Sequence, residues 1–284
     1  MKIAIASGKG GTGKTTIAVN LALAAGAVQL LDCDVEDPDA AIFLQPRDPA
    51  VAPVEVNVPR VDLDKCNFCK ACAEFCRFNA LIVLENHWLS VPQLCKDCGG
   101  CYRVCPSNAL ETEPRRIGVL ERGMLENGLE IVTGRLDPGE AMPSPLIRRV
   151  KAEMSSAQSV IVDCPPGSAC SMMSAVEGAD CCLMVTEPTP FGLHDLKQAV
   201  SVVRLMNLPI GVVLNRADLG DAPVRKYCRD KGLPLLLEIP FDDALAQAYA
   251  QGVPAVRSNG KWRAVFETLW KDVNDLARTG KGSV

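Results

Sequence analysis

Eight residues near the start of the chain, Gly8-Lys9-Gly10-Gly11-Thr12-Gly13-Lys14-Thr15, satisfy G-x4-G-K-[ST] and constrain the fold more than any other feature. The pattern works only where a strand ends and a helix begins. Backbone amides must approach phosphate oxygens closely, and a helix N-terminus must face their negative charge. The apolar run 3–6 supplies the strand, and a helix is expected from about Lys14. In that setting Lys14 reaches the β and γ oxygens of ATP, Thr15 ligates Mg²⁺, and the loop glycines and Thr12 with Thr16 line the nucleotide.

Further short apolar runs at 28–31, 160–162, 183–185, 210–214 and 235–239 each end in a polar, Gly or Pro signal, as buried parallel strands do. Helical stripes alternate with them, such as Leu193, Leu196, Val200, Val203 and Met206. The pattern predicts an α/β fold with a doubly wound, mostly parallel sheet. A last stripe, Trp262, Phe266, Leu269, Trp270 and Val273, is expected to pack on that sheet; a membrane-binding face is the alternative. The alternation breaks between about Asn57 and Glu113, after Pro46, Pro49, Pro53 and Pro59. The expected organisation is an ATPase domain in two parts, 1–56 and 114–284, around an inserted small α+β module at 57–113.

The early stop at Gly8 leaves no secretory apolar core, so a cytoplasmic setting is expected, where fourteen cysteines do not form a disulfide framework. Eight of them fall in a repeat: Cys66, Cys69, Cys72 and Cys76 recur 29 residues later as Cys95, Cys98, Cys101 and Cys105, and Asn79-Ala80-Leu81 recurs as Asn108-Ala109-Leu110. Each half reads C-x2-C-x2-C-x3-C, the run of two-cluster bacterial ferredoxins, in which the fourth cysteine serves the other cluster. Cys66, Cys69, Cys72 and Cys105 are therefore expected to hold one [4Fe-4S] cluster, and Cys76, Cys95, Cys98 and Cys101 the other. A pair of zinc sites is the competing reading of C-x2-C, and it leaves the third close cysteine of each half without a purpose. Arg77 stands where the second half has Pro106.

With Lys9 ahead of Lys14, the loop resembles the deviant Walker A motif of the Min/Par/nitrogenase-iron-protein superfamily, and the resemblance spans nearly all of 1–56 and 114–284. It implies a nucleotide-sandwich dimer in which Lys9 reaches the partner's ATP. In Asp32-Cys33-Asp34 it implies that Asp34 positions the attacking water, giving Lys9, Lys14 and Asp34 as the catalytic set. Asp163, at the end of a strand and before Cys164-Pro165-Pro166-Gly167, then holds Mg²⁺ through water, and Gly167 offers an amide to the γ-phosphate. Asn215 and Pro240 match adenine-reading positions. The whole resembles Min-type ATPases with an inserted ferredoxin domain, related to Mrp-type iron-sulfur carriers. It departs from the carriers in having no C-x2-C after Cys105.

Three functions are compatible with these features: ATP-gated electron transfer through the clusters, which is favoured; assembly or delivery of clusters; and spatial organisation of cargo. With 30 Lys plus Arg against 34 Asp plus Glu, nothing draws the chain to nucleic acid, and membrane association is not expected. The expected partners are a second copy or a paralogous ATPase, and a redox or iron-sulfur protein.

Overall fold

Strand β1 (Lys2–Ala6) runs into a glycine-rich bend and then helix Lys14–Ala25, the local arrangement that the opening motif demands. The computed structural model describes residues 1–220 and 223–280. The other strands are β2 (Gln29–Asp32), β3 (Arg47–Val61), β4 (Leu81–Leu84), β5 (His87–Ser90), β6 (Leu110–Met124), β7 (Glu130–Leu136), β8 (Val160–Asp163), β9 (Cys181–Thr186), β10 (Ile210–Asn215) and β11 (Leu235–Ile239).

Among the described residues, nine of these form one sheet in the order β11-β10-β9-β1-β8-β2-β7-β6-β3. From β11 to β7 every pairing is parallel; β6 is antiparallel to both β7 and β3. Ile3, Ala4, Ile5 and Ala6 are all fully buried, because helices cover both faces of the sheet and leave no polar side. One face carries helix Lys14–Ala25 and the final helix, Gly260–Gly280, whose Trp262, Phe266, Leu269 and Val273 lie in the core. The C-terminal stripe is thus packing surface, and burial of each such side chain contributes roughly 1.5–3 kcal/mol. The opposite face is covered by helices that include Pro143–Ala152 and Pro190–Leu205. Among the described residues no helix is long and apolar enough to cross a membrane.

The proline-studded segment forms β3, fifteen residues long at the sheet edge, and runs past Asn57. An edge strand has one unpaired side, so Pro53 and Pro59 sit there without opening a buried ladder. Val54, Val56 and Val58 turn inward while Glu55 and Asn57 stay exposed. Both β3 and β6 continue until Val61 faces Leu110, and the cysteine-rich residues lie between those ends.

There the sequence repeat is also a repeat of backbone conformation. Positive φ occurs at Phe68 and Asp97, at Lys70 and Gly99, and at Asn79 and Asn108, each pair 29 residues apart. Helices Ala71–Phe75 and Gly100–Val104 obey the same offset, and the antiparallel hairpin β4–β5 lies between the halves.

Candidate functional site

The parallel strands end along one edge of the sheet, where open α/β sheets bind ligands. The phosphate loop follows β1, the centre of that edge; Asp163 ends the adjacent strand β8, and Asp32 ends β2 beyond it, in register with Asp163. Gly13 has φ 94°, and a Cβ there would meet Asn215 Nδ2 at 2.7 Å, so both conformation and space require glycine. No side chain caps helix Lys14–Ala25, which leaves its first amides open to an anion.

Lys14 is buried, with Nζ 3.5 Å from Asp34 Oδ2. Burial raises the Asp34 carboxyl above its ordinary range although Lys14 pulls the other way. Asp32 is a brace. Its Oδ1 accepts from the Asp34 amide at 3.2 Å and its Oδ2 from the Ala40 amide at 3.1 Å, which fixes the turn that carries Asp34. Asp163 is fully buried, and neither carboxylate oxygen has a hydrogen-bond partner within normal distance. Burial pushes it up to about 6, opposed by Lys14 and the Thr15 hydroxyl. A buried carboxylate lacking partners beside Thr15 suits a hydrated divalent cation, so these residues fit Mg²⁺.

Two hollows meet at the loop. The polar one, about 380 Å³, is lined by Gly10, Lys14, Thr15, Asp34 and neighbouring acids; the other, about 330 Å³, lies among Ile17, Asn215, Pro240, Phe241 and Tyr249. Gly11, Gly13, Thr16 and Tyr249 border both. One therefore suits phosphates with a cation, and the other a base.

Several expected residues are otherwise engaged. The Gly167 amide donates to the Ser7 carbonyl at 2.9 Å and is not open to a phosphate in this structure. The Asn215 amide donates to the Thr12 carbonyl at 2.9 Å, and its Oδ1 accepts from the Arg216 amide, so its side chain braces the loop while bordering the base hollow. Lys9 Nζ lies 3.0 Å from Glu187 Oε2, and Arg216 binds the other oxygen of the same buried carboxylate. Sequence reasoning misses Glu187, Arg216 and Tyr249. Glu187 carries a signal, an acid directly after the apolar strand β9; Tyr249 carries none.

The eight repeat cysteines divide crosswise. Cys66, Cys69, Cys72 and Cys105 line one hollow, and Cys76, Cys95, Cys98 and Cys101 line another. Among the described residues, no three ligand-type side chains converge closely enough for a single metal ion. Each hollow has an aromatic donor in its lining whose polar atom is buried without a partner within normal distance: Trp88 Nε1, which faces Cys72, and Tyr102 Oη, in the lining of the other hollow. Burial pushes the Cys101 thiol up to about 11 and raises Cys72 and Cys95. At Cys105 burial also acts upward, but the Ala109 amide and the Ser107 hydroxyl outweigh it and lower the thiol. Four thiols around a hollow with an unmatched donor fit an iron-sulfur cluster, whose sulfurs accept such bonds.

A phosphate loop at the centre of this sheet edge, with paired strand-end aspartates, defines a P-loop ATPase fold with a nucleotide site. The chain belongs to the CobQ/CobB/MinD/ParA nucleotide binding domain family, whose pattern matches residues 3–255. It is 30% identical to the uncharacterized protein MJ0579 of Methanocaldococcus jannaschii, over 91% of this chain and 93% of that one. To the iron-sulfur cluster carrier protein of Pyrococcus horikoshii it is 25% identical, over 97% and 86% of the two chains. The cell division ATPase MinD of Pyrococcus furiosus shares the fold, with TM-score 0.61 at 24% identity over 97% of this chain and 98% of that one.

Proposed function

We propose that this chain is an ATP-hydrolysing iron-sulfur protein in which nucleotide-driven dimer switching gates electron transfer through two [4Fe-4S] clusters. The observation that carries the reading is the crosswise grouping of eight cysteines around two hollows, joined to the nucleotide sheet through β3 and β6. Residues 57–113 act as the inserted cluster module. Cys66, Cys69, Cys72 and Cys105 hold one cluster, and Cys76, Cys95, Cys98 and Cys101 the other; when bound, such clusters supply one-electron chemistry.

At the other site, Lys14 binds the β and γ oxygens, while Thr15 and Asp163 hold Mg²⁺. Asp34, supported from below by Asp32, orients the attacking water. Lys9, paired in cis with Glu187, is released to a second copy or a paralogous ATPase when ATP closes the dimer. The setting of this work is the cytoplasm, with a separate redox protein as partner.

The test is the midpoint potential of each cluster in anaerobically purified protein, with and without a slowly hydrolysed ATP analogue, alongside ATP affinity of oxidised and reduced protein. Linkage requires both to change together, and a tenfold affinity difference corresponds to about 59 mV for a one-electron couple. Invariance of both, with transfer rates to a partner that ignore nucleotide, refutes gating.

A second reading, delivery of clusters to client proteins, is favoured by the relatives named iron-sulfur cluster carrier proteins. Against it, a full set of four thiols at each hollow favours retention, and C-x2-C is missing after Cys105. Transfer of iron and sulfide from this chain to an apo-ferredoxin, accelerated by ATP, would establish delivery. A spatial-organising role, with clusters as sensors, is a third reading, supported only by the MinD-like fold.

A further inference from the structure

The internal repeat allows each hollow to serve as the control for the other. We propose that residues of this chain make the two clusters unequal, with the hollow of Cys66, Cys69, Cys72 and Cys105 holding the one that is easier to reduce. This rests on the cluster reading above.

Much of the surroundings is balanced. Each hollow is bordered by one lysine, Lys70 or Lys96, and by one aromatic donor, Trp88 or Tyr102. Two repeat-related positions are not balanced. Phe68 borders the first hollow, and its equivalent 29 residues on is Asp97, which borders the second. The Asp97 carboxylate accepts from the Asn57 amide at 3.0 Å, which fixes it at the rim of that hollow between Cys95 and Cys98. Ser107 borders the first hollow with its hydroxyl 3.7 Å from Cys105 Sγ, whereas its counterpart in the second is Phe78.

Both differences act in one direction. Adding an electron makes a cluster and its thiolates more negative. A fixed carboxylate opposes that change, and a hydroxyl donor to a ligating sulfur favours it. Asp97 therefore lowers the potential of the second cluster, and Ser107 raises that of the first. The second hollow also directs Cys95 Sγ toward the Asn57 carbonyl, at 3.9 Å, an acceptor that gives a thiolate nothing. One electron given to the pair would come to rest in the hollow of Cys66.

The experiment is a potentiometric titration of the anaerobic holoprotein followed by electron paramagnetic resonance, with iron and sulfide counted in every sample. Wild type should show two resolved midpoints. Asp97→Asn, which keeps an acceptor for the Asn57 amide, should raise only the lower one. The expected gain is roughly tenfold in the reduced-to-oxidised ratio at fixed poise, or about 59 mV. Ser107→Ala should lower only the higher one. Two midpoints that coincide in wild type, or an Asp97→Asn variant with full iron content and unshifted midpoints, would overturn the inference while leaving the clusters in place. A chain that binds no iron and sulfide strikes the cluster reading itself, and this inference with it. A shift of the higher midpoint by Asp97→Asn would reverse the assignment and overturn the order.

Discussion

Replacing Asp163 by asparagine should make the nucleotide-free protein more stable at neutral pH while removing its hold on Mg²⁺. The carboxylate is fully buried beside Asp32, and neither oxygen has a hydrogen-bond partner within normal distance. Its folded-state value of about 6 exceeds the roughly 3.9 of a free aspartate. Between about pH 4 and pH 6 the folded state thus binds a proton that the unfolded chain has released, so stability falls as pH rises through that window. Above about pH 6 the full cost applies. A rise of about two pH units, at about 1.36 kcal/mol per unit, gives about 3 kcal/mol, and asparagine, resembling the neutral acid, escapes it. Asp32, whose carboxyl is raised by burial and by Asp163, should be relieved in the same variant. Urea unfolding of magnesium-free protein from about pH 4 to about pH 8 measures the effect: the variant should match wild type near pH 4 and exceed it increasingly up to about pH 6. Mg·ATP should stabilise wild type and leave the variant little changed. A variant no more stable than wild type at about pH 7.5, or one with the same advantage at about pH 4, would show that the buried charge of Asp163 costs the fold nothing.

The other expectations divide the two sites. Lys14→Ala should abolish ATP binding in calorimetry, whereas Asp34→Ala should bind ATP, fail to release phosphate and accumulate as a closed dimer in sedimentation. Glu187→Gln should free Lys9 and lower the ATP concentration at which dimers form, while Lys9→Ala should hydrolyse poorly at any concentration; unchanged dimerisation in both would show that the Lys9–Glu187 pair does not restrain the dimer. Anaerobic wild type should contain about eight iron and eight sulfide per chain. Cys76→Ala should lose the signal of the cluster shared with Cys95, Cys98 and Cys101 and keep the other.

The parallel half of the fold is legible because strands buried on both faces are nearly pure apolar runs, and β1, β2, β8, β9, β10 and β11 appear close to where those runs lie. The antiparallel extension is not. Pro53 and Pro59 read as chain breaks because their tolerance depends on an edge position, which sequence does not reveal, and the alternation of Val54, Val56 and Val58 is hidden among them. Lys14, Thr15, Asp34 and Asp163 are visible because one motif and two strand ends mark them. Glu187 and Arg216 meet Lys9 only through the ordering of β1, β9 and β10, a tertiary fact. A motif points to the Gly167 amide, but the Ser7 carbonyl that holds it is a contact between loops.

The cysteine-bearing segment hangs from two fifteen-residue strands that are themselves part of the sheet, not from a tether. Fully extended, fifteen residues span about 50 Å. Strand β6 leaves its pairing with β7 at Gly118, beside the register shift between Val54 and Glu55, so the distal ribbon meets the sheet at an irregular point of the ladder. A tilt at the sheet edge reaches the tip only as far as that point stays stiff. The mechanical weak points are then the register shifts between Arg47 and Ala50 and between Val54 and Glu55, where the ladder is interrupted.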